Sequence, residues 1–311
     1  FEGFVKASVQ AIESRDPTTS GHSERVAIYS VELAKAVDRT ADGRYGDAKF
    51  SPEQIKELRY ASLLHDFGKV GVRENVLTKA KKLYPDQLSL IIARINFIKK
   101  DLIAKYQARK VEHLMSNGNK NFQEIFTQID EEMYGEINKL SHYMDDILRI
   151  NEPAVLNNED FGLLEEIKDY RFMDFSGNER LLLTDDEVLK LKVPRGSLDE
   201  HERLEIESHV SHTFQFLTRI PWTNEMKNLP EIAYGHHEKL DGSGYPRGLK
   251  EEQIPVQSKI MCIADIYDAL TAHDRPYKKA VSEERAIKIL GFEANDKHID
   301  KELLDIFVKK K

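Results

Sequence analysis

The chain has 311 residues, 32% of them charged and 40% hydrophobic, a balance that fits a folded globular protein and excludes a disordered or membrane-embedded one. With 46 basic against 54 acidic residues the formal charge is −8, which argues against a broad face for a nucleic acid polymer. No apolar run reaches the length of a membrane span, and the single cysteine, Cys262, can form no internal disulfide, so a cytoplasmic setting is expected.

The first residue is Phe1 and no signal-peptide pattern follows it, so the expectation is a fragment whose missing part lies on the N-terminal side. Val26, Ile28, Tyr29, Val31, Leu33, Ala34 and Val37 recur at helical spacing and predict an amphipathic helix over 24–37. Ser51-Pro52-Glu53 reads as an N-cap with proline at the first helical position, opening a helix that runs into YASLLHDFGK.

The middle of the chain has a longer rhythm. Leu88, Ile91, Ile95, Ile98, Leu102 and Tyr106 recur every three or four residues, and Met133, Ile137, Leu140, Met144 and Ile147 repeat the pattern. MSNGNKN at 115–121, between them, is a turn composition. The prediction is a long antiparallel helical hairpin, each helix extending roughly 40 Å at about 1.5 Å per residue. It serves either as a protruding structural arm or as a dimerisation or signal-relay element.

Residues 151–195 are loop-rich and acidic, with one helix start at Thr184-Asp185-Asp186-Glu187, and helical periodicity resumes near Leu198. No run alternates convincingly as a strand would. The predicted fold class is all-α.

Several of the 11 histidines stand with carboxylates in short motifs. These are His22 in TTSGHSERV, His65-Asp66 in LLHDFGKVG, His209 in ESHVSH, His236-His237 in AYGHHEKLDGSGYP, and Asp265 in IMCIADIYDALTA. The apolar Tyr60, Ala61, Leu63 and Leu64 place the His65-Asp66 pair on a largely buried helix, where imidazole and carboxylate are costly unless paired or bound to metal. Asp265, within the apolar stretch 260–266, poses the same problem. His113, His142, His201 and His298 lack a supporting motif and read as packed or surface residues; His212 and His273 stand near motifs without completing one.

Five imidazoles and two carboxylates are enough ligands for two octahedral ions. The absence of thiolate favours Fe, Mn or a similar divalent metal over tetrahedral zinc. Two such ions suit phosphodiester hydrolysis, because they lower the pKa of a bridging water or hydroxide nucleophile and stabilise the entering and leaving oxygens.

HDFGK, followed far downstream by HHEKLDGSGYP and IADIYDALTAHDRPYK, resembles the HD-GYP family, a branch of the HD phosphohydrolases. The resemblance covers 1–87 and 196–311 and implies a discontinuous catalytic helical bundle, interrupted at 88–195 by the hairpin arm and its loop-rich return. It implies hydrolysis of cyclic di-GMP to linear pGpG and often GMP, with some related members preferring cyclic GMP-AMP. A non-catalytic cyclic-dinucleotide-binding or protein-interaction module in bacterial signalling is the alternative.

Carried over by position, the implied metal ligands are His22, His65, Asp66, His209, His236, His237 and Asp265, with Asp66 bridging. Lys69 would contact the scissile phosphate, and Arg275 and Lys278 the nucleotide phosphates; Glu238 and Asp241 would orient the imidazoles and the loop. Three-metal members carry Glu where this chain has Thr18, so two ions are expected. TAHDRPYK is one residue longer than the commoner family form, and the interval from His65 to His209 is far longer than usual. The family's habit implies an upstream sensor such as a GAF, PAS or receiver domain. A homodimer through the arm or that missing region is a further expectation.

Overall fold

The computed structural model describes residues 2–15, 20–272 and 280–310. Packing divides the chain into two compact units, 1–78 with 202–311, and 79–201. The division falls at 78/79 and 201/202 because the segment after Thr78 packs with the arm: Lys82 N donates to Asn151 O, and Leu83 lies among the arm's aliphatic side chains.

The discontinuous unit is built from helices. These are α1 (Glu2–Arg15), α2 (His22–Asp38), α3 (Pro52–Leu64), the short α4 (Glu74–Leu77), α9 (Glu200–Leu217), α10 (Leu229–Tyr234), α11 (Val256–Thr271), α12 (Glu283–Asn295) and α13 (Lys301–Lys310). Ser51 caps α3 as its sequence predicts: its hydroxyl accepts from Gln54 N, while the Gln54 side chain accepts from Ser51 N. Val26, Leu33 and Val37 of α2 meet Leu58, Ala61 and Leu64 of α3 and Ile260, Ile263 and Ala264 of α11 in one core. The α11 sequence is apolar on nearly every side, which is why that helix runs through the middle.

The expected helix through LLHDFGK stops earlier. α3 ends at Leu64, His65 closes it, and Asp66 leads into a 3₁₀ turn over Phe67–Gly71. The turn lies directly on α9. A methyl group at Gly68 would overlap the His209 carbonyl oxygen and Thr213 N, so only glycine fits. Thr213 fixes the junction by donating to His65 O (2.9 Å) and accepting from Gly68 N (2.8 Å).

The second unit contains α5 (Pro85–Asn117), α6 (Phe122–Ile150), α7 (Asn158–Lys168) and α8 (Asp185–Leu191). α5 has 33 residues and α6 has 29, so the longer spans roughly 50 Å at about 1.5 Å per residue. Ile91, Ile95 and Ile98 face Leu140, Tyr143 and Ile147 along the seam, and Leu164, Ile167, Leu182, Leu183 and Leu191 complete its core. Thr184 caps α8 in a reciprocal pair with Glu187.

The all-α fold has one small addition. β1 (Arg171–Met173) pairs antiparallel with β2 (Glu179–Leu181), Phe172 opposite Arg180. Three-residue strands are too short to show alternation in sequence. Among the described residues, no helix is long and apolar enough to cross a membrane.

Candidate functional site

Five segments deliver the seven side chains. His22 opens α2, His65 and Asp66 follow α3, His209 lies within α9, His236 and His237 follow α10, and Asp265 lies within α11. His22, His65, Asp66, His209 and His236 are all buried. Their ligand-type atoms gather in three overlapping sets: His209, His236 and His237; His22, His65 and Asp66; His65, His236 and Asp265.

Asp66 faces both ends of this cluster. Its Oδ1 lies 3.2 Å from His209 Nε2, while Oδ2 lies 3.5 Å from His65 Nε2 and 3.8 Å from His22 Nε2. Oδ2 also receives the Lys69 ammonium at 2.9 Å. Asp265 Oδ1 sits 3.2 Å from His22 Nε2 and 3.9 Å from His65 Nε2.

The backbone sets the tautomers. His65 Nδ1 lies 2.7 Å from Ser62 O, His236 Nδ1 lies 2.6 Å from Ala233 O, and His209 Nδ1 meets Ile206 O. A carbonyl can only accept, so Nδ1 carries the proton and each Nε2 presents a lone pair to the cluster. His236 Nε2 is buried with no hydrogen-bond partner.

Electrostatics divide the group. Burial and the neighbouring His237 and His65 push His236 well below its ordinary range, and burial holds His237 down to about 4 despite Asp265 nearby. Both are neutral at physiological pH, as metal ligands must be. Burial opposes the charge on Asp66 and Asp265, yet both stay below the usual carboxylate range. Lys69 and His65 outweigh burial for Asp66, as the His22 hydrogen bond and charge do for Asp265. His22 is the exception: burial would lower it, but hydrogen bonds to Asp265 and Asp268 raise it to about 9.

The GYP loop is fixed by backbone contacts. Glu238 accepts from Arg247 N (2.8 Å) and Leu249 N (2.7 Å), so its carboxylate braces the loop. Asp241 accepts from Ser243 N and its hydroxyl at the surface. Their hydrogen bonds are to the loop; those of His22, His65, His209 and His236 go to Asp268 and to main-chain carbonyls. A methyl group at Gly244 would overlap Lys239 N and Glu238 Cα, and Tyr245 lays its ring beside His237, centroids 4.8 Å apart. Arg275, Lys278, Thr18 and His273 lie outside the described residues.

HD-domain family models match residues 19–149 and 183–303. A protein of Vibrio cholerae serotype O1 named "Probable cyclic di-GMP phosphodiesterase" is 47% identical over 307 residues, 99% of this chain and 44% of that protein. The chain belongs to the HD-GYP family. Two further relatives match shorter stretches. A "3'3'-cGAMP-specific phosphodiesterase 3" of the same organism is 41% identical over 95 residues, 30% of this chain and 20% of that protein. A "Cyclic di-GMP phosphodiesterase" of Thermotoga maritima is 43% identical over 79 residues, 25% of this chain and 21% of that protein. The chain thus spans less than half the length of these relatives.

The motif reading of this HD-GYP chain missed four contributors: Ser62, Thr213, Asp268 and Arg25. Ser62 acts through its carbonyl, for which side-chain identity carries no signal. Asp268 did carry one: it falls three residues after Asp265, on nearly the same face of α11.

Proposed function

We propose that this chain is a metal-dependent phosphodiesterase that opens cyclic di-GMP, or a related cyclic dinucleotide, to a linear product. The observation that carries the reading is the buried, unpartnered Nε2 of His236, aimed into a cluster of imidazoles and carboxylates. A buried acceptor without a donor is costly, and a divalent cation satisfies it. The neutral His236 and His237 and the ionised Asp66 and Asp265 are donors of the kind such an ion requires.

His209, His236 and His237 would hold one ion, and His22, His65 and Asp265 the other. Asp66 would be shared, because its two oxygens face different histidines. Fe or Mn suits this nitrogen and oxygen set. When bound, the ions supply a nucleophilic water at neutral pH and Lewis-acid stabilisation of the phosphoryl oxygens. The protein's own contribution is orientation. Carbonyls fix the imidazole tautomers, and Lys69, anchored on Asp66, offers a positioned cation for charge that develops on the scissile phosphate. Arg275 and Lys278 would meet the remaining phosphate charge, and the setting would be cytoplasmic.

The test is hydrolysis of cyclic di-GMP and 3'3'-cGAMP, side by side, by the Mn-loaded chain, with products resolved by chromatography. Linear pGpG or its cGAMP counterpart supports the reading and ranks the substrates. Tight binding without turnover would favour a sensing module instead.

The arm is read as a surface for a second copy. Besides its seam with α6, α5 carries Leu90, Phe97, Ala104 and Val111, all exposed and seven residues apart, the repeat of a helix that packs against another helix. Antiparallel pairing centred between Lys100 and Asp101 brings Leu90 to Val111, Phe97 to Ala104 and Lys100 to Asp101 across the two-fold axis. Sedimentation of Phe97→Glu beside the parent chain tests this, with a shift from dimer to monomer expected and an unchanged profile refuting it.

A further inference from the structure

Three of the cluster's imidazoles are oriented alike. The Nδ1 atoms of His65, His209 and His236 each face the carbonyl three residues earlier, on Ser62, Ile206 and Ala233. His22, the first residue of α2, makes a different contact. Its Nδ1 instead meets Asp268 Oδ2 at 2.8 Å, a contact from α11 between two fully buried side chains.

Asp268 is itself clamped. Arg25, one turn along α2 from His22, reaches Oδ1 through Nε (2.7 Å) and Oδ2 through Nη2 (3.0 Å). This two-pronged grip fixes the rotation of the carboxylate and keeps it anionic. The chain His22–Asp268–Arg25 is closed by two residues on one helix and one on its neighbour. Among the described residues, the imidazole that Asp268 meets through a hydrogen bond is that of His22, at one end of the cluster.

We propose that Asp268 is a positioning residue that makes the two halves of the metal centre unequal, the half containing His22 holding its ion more tightly. This rests on the metal-centre reading above. The physical reason is the acceptor. An anionic carboxylate draws the Nδ1 proton harder than a neutral peptide carbonyl does, so Nε2 of His22 becomes the stronger electron donor. Arg25 sharpens the geometry without touching the imidazole. In the half built on His209, His236 and His237, the Nδ1 atoms of His209 and His236 meet neutral peptide carbonyls, and that half fills later and empties first.

The test is titration of the metal-stripped chain with Mn²⁺ alone, followed by calorimetry and by the spin-resonance signal of bound Mn²⁺. The parent chain is expected to bind in two distinguishable steps. Asp268→Asn, which keeps the shape and removes the charge, is expected to weaken the tighter step about 10–100-fold and leave the weaker one in place. Arg25→Gln, which releases the clamp at a distance from the imidazole, is expected to weaken the same step by less, and thermal melts of both variants check folding. Equal weakening of both steps, or two equal steps in the parent chain, overturns the proposal while the metal reading stands. No Mn²⁺ uptake by the parent chain overturns both.

Discussion

In the arm unit, three buried polar side chains serve the backbone. Asn151 accepts from Leu83 N, Asp160 from Asn157 N and Glu187 from Thr184 N, each capping a helix or tying a turn. Around them the core is aliphatic. In the other unit an equally aliphatic core encloses five imidazoles and two carboxylates that face one another. Such a cluster costs stability, since each desolvated charge needs compensation that neighbouring side chains supply only in part. The contrast separates structural from functional burial: a polar group that closes a backbone hydrogen bond needs no further explanation, whereas a convergent set with an unpartnered nitrogen does.

The largest perturbation expected in the arm is Leu140→Ala, at a fully buried position of the seam. It should cost about 2–5 kcal/mol. Trp222, the one tryptophan, packs against the other unit's core and reports on that unit alone. Urea unfolding is therefore expected to shift in circular dichroism while Trp222 fluorescence keeps its midpoint. A common shift would show that the two cores unfold together.

Gly68→Ala makes the reciprocal test. The added methyl group meets α9 main chain, and overpacking of this kind costs about 1–3 kcal/mol. Here the Trp222 transition should move and metal uptake should fall, because His65, Asp66 and His209 all border the junction. Full retention of metal would mean the junction does not set the site.

The smallest expected effect lies at Lys82, a fully buried ammonium in the arm. Burial pushes it down to about 8, with Asp160 opposing. Between pH 8 and the ordinary lysine value near 10.4 the unfolded chain binds the proton that the folded chain has lost, so arm stability should rise with pH across that window. Lys82→Met should raise stability at neutral pH, by at most about 3 kcal/mol, and abolish the rise. Melting curves from pH 7 to 10.5 on both proteins decide it; a parallel pH dependence in the variant would refute the assignment.

Much of the architecture was legible because it rests on side-chain type at fixed spacing. The arm could be read from Ile91, Ile95, Ile98, Leu140 and Ile147, and the helix start at Ser51 from its Pro52. The end of α3 could not, since the turn at Asp66 depends on how closely Gly68 approaches α9, a contact across 145 residues. The seven motif residues could be picked out because each stands in a short string of histidines and carboxylates, and the packing of their helices brings them together. Asp268 was missed because ADIYD offers two acids and only the fold shows that the second meets His22. Glu238, expected to orient the imidazoles and the loop, reaches two backbone amides of the loop, contacts that have no signature in sequence.

The most direct test of the central claim is the metal content of the anaerobically purified chain, measured with cyclic di-GMP turnover beside Asp66→Ala. The account predicts two ions per chain with turnover, and loss of both when the shared carboxylate is removed. An Asp66→Ala variant that keeps its metal and its rate would contradict it.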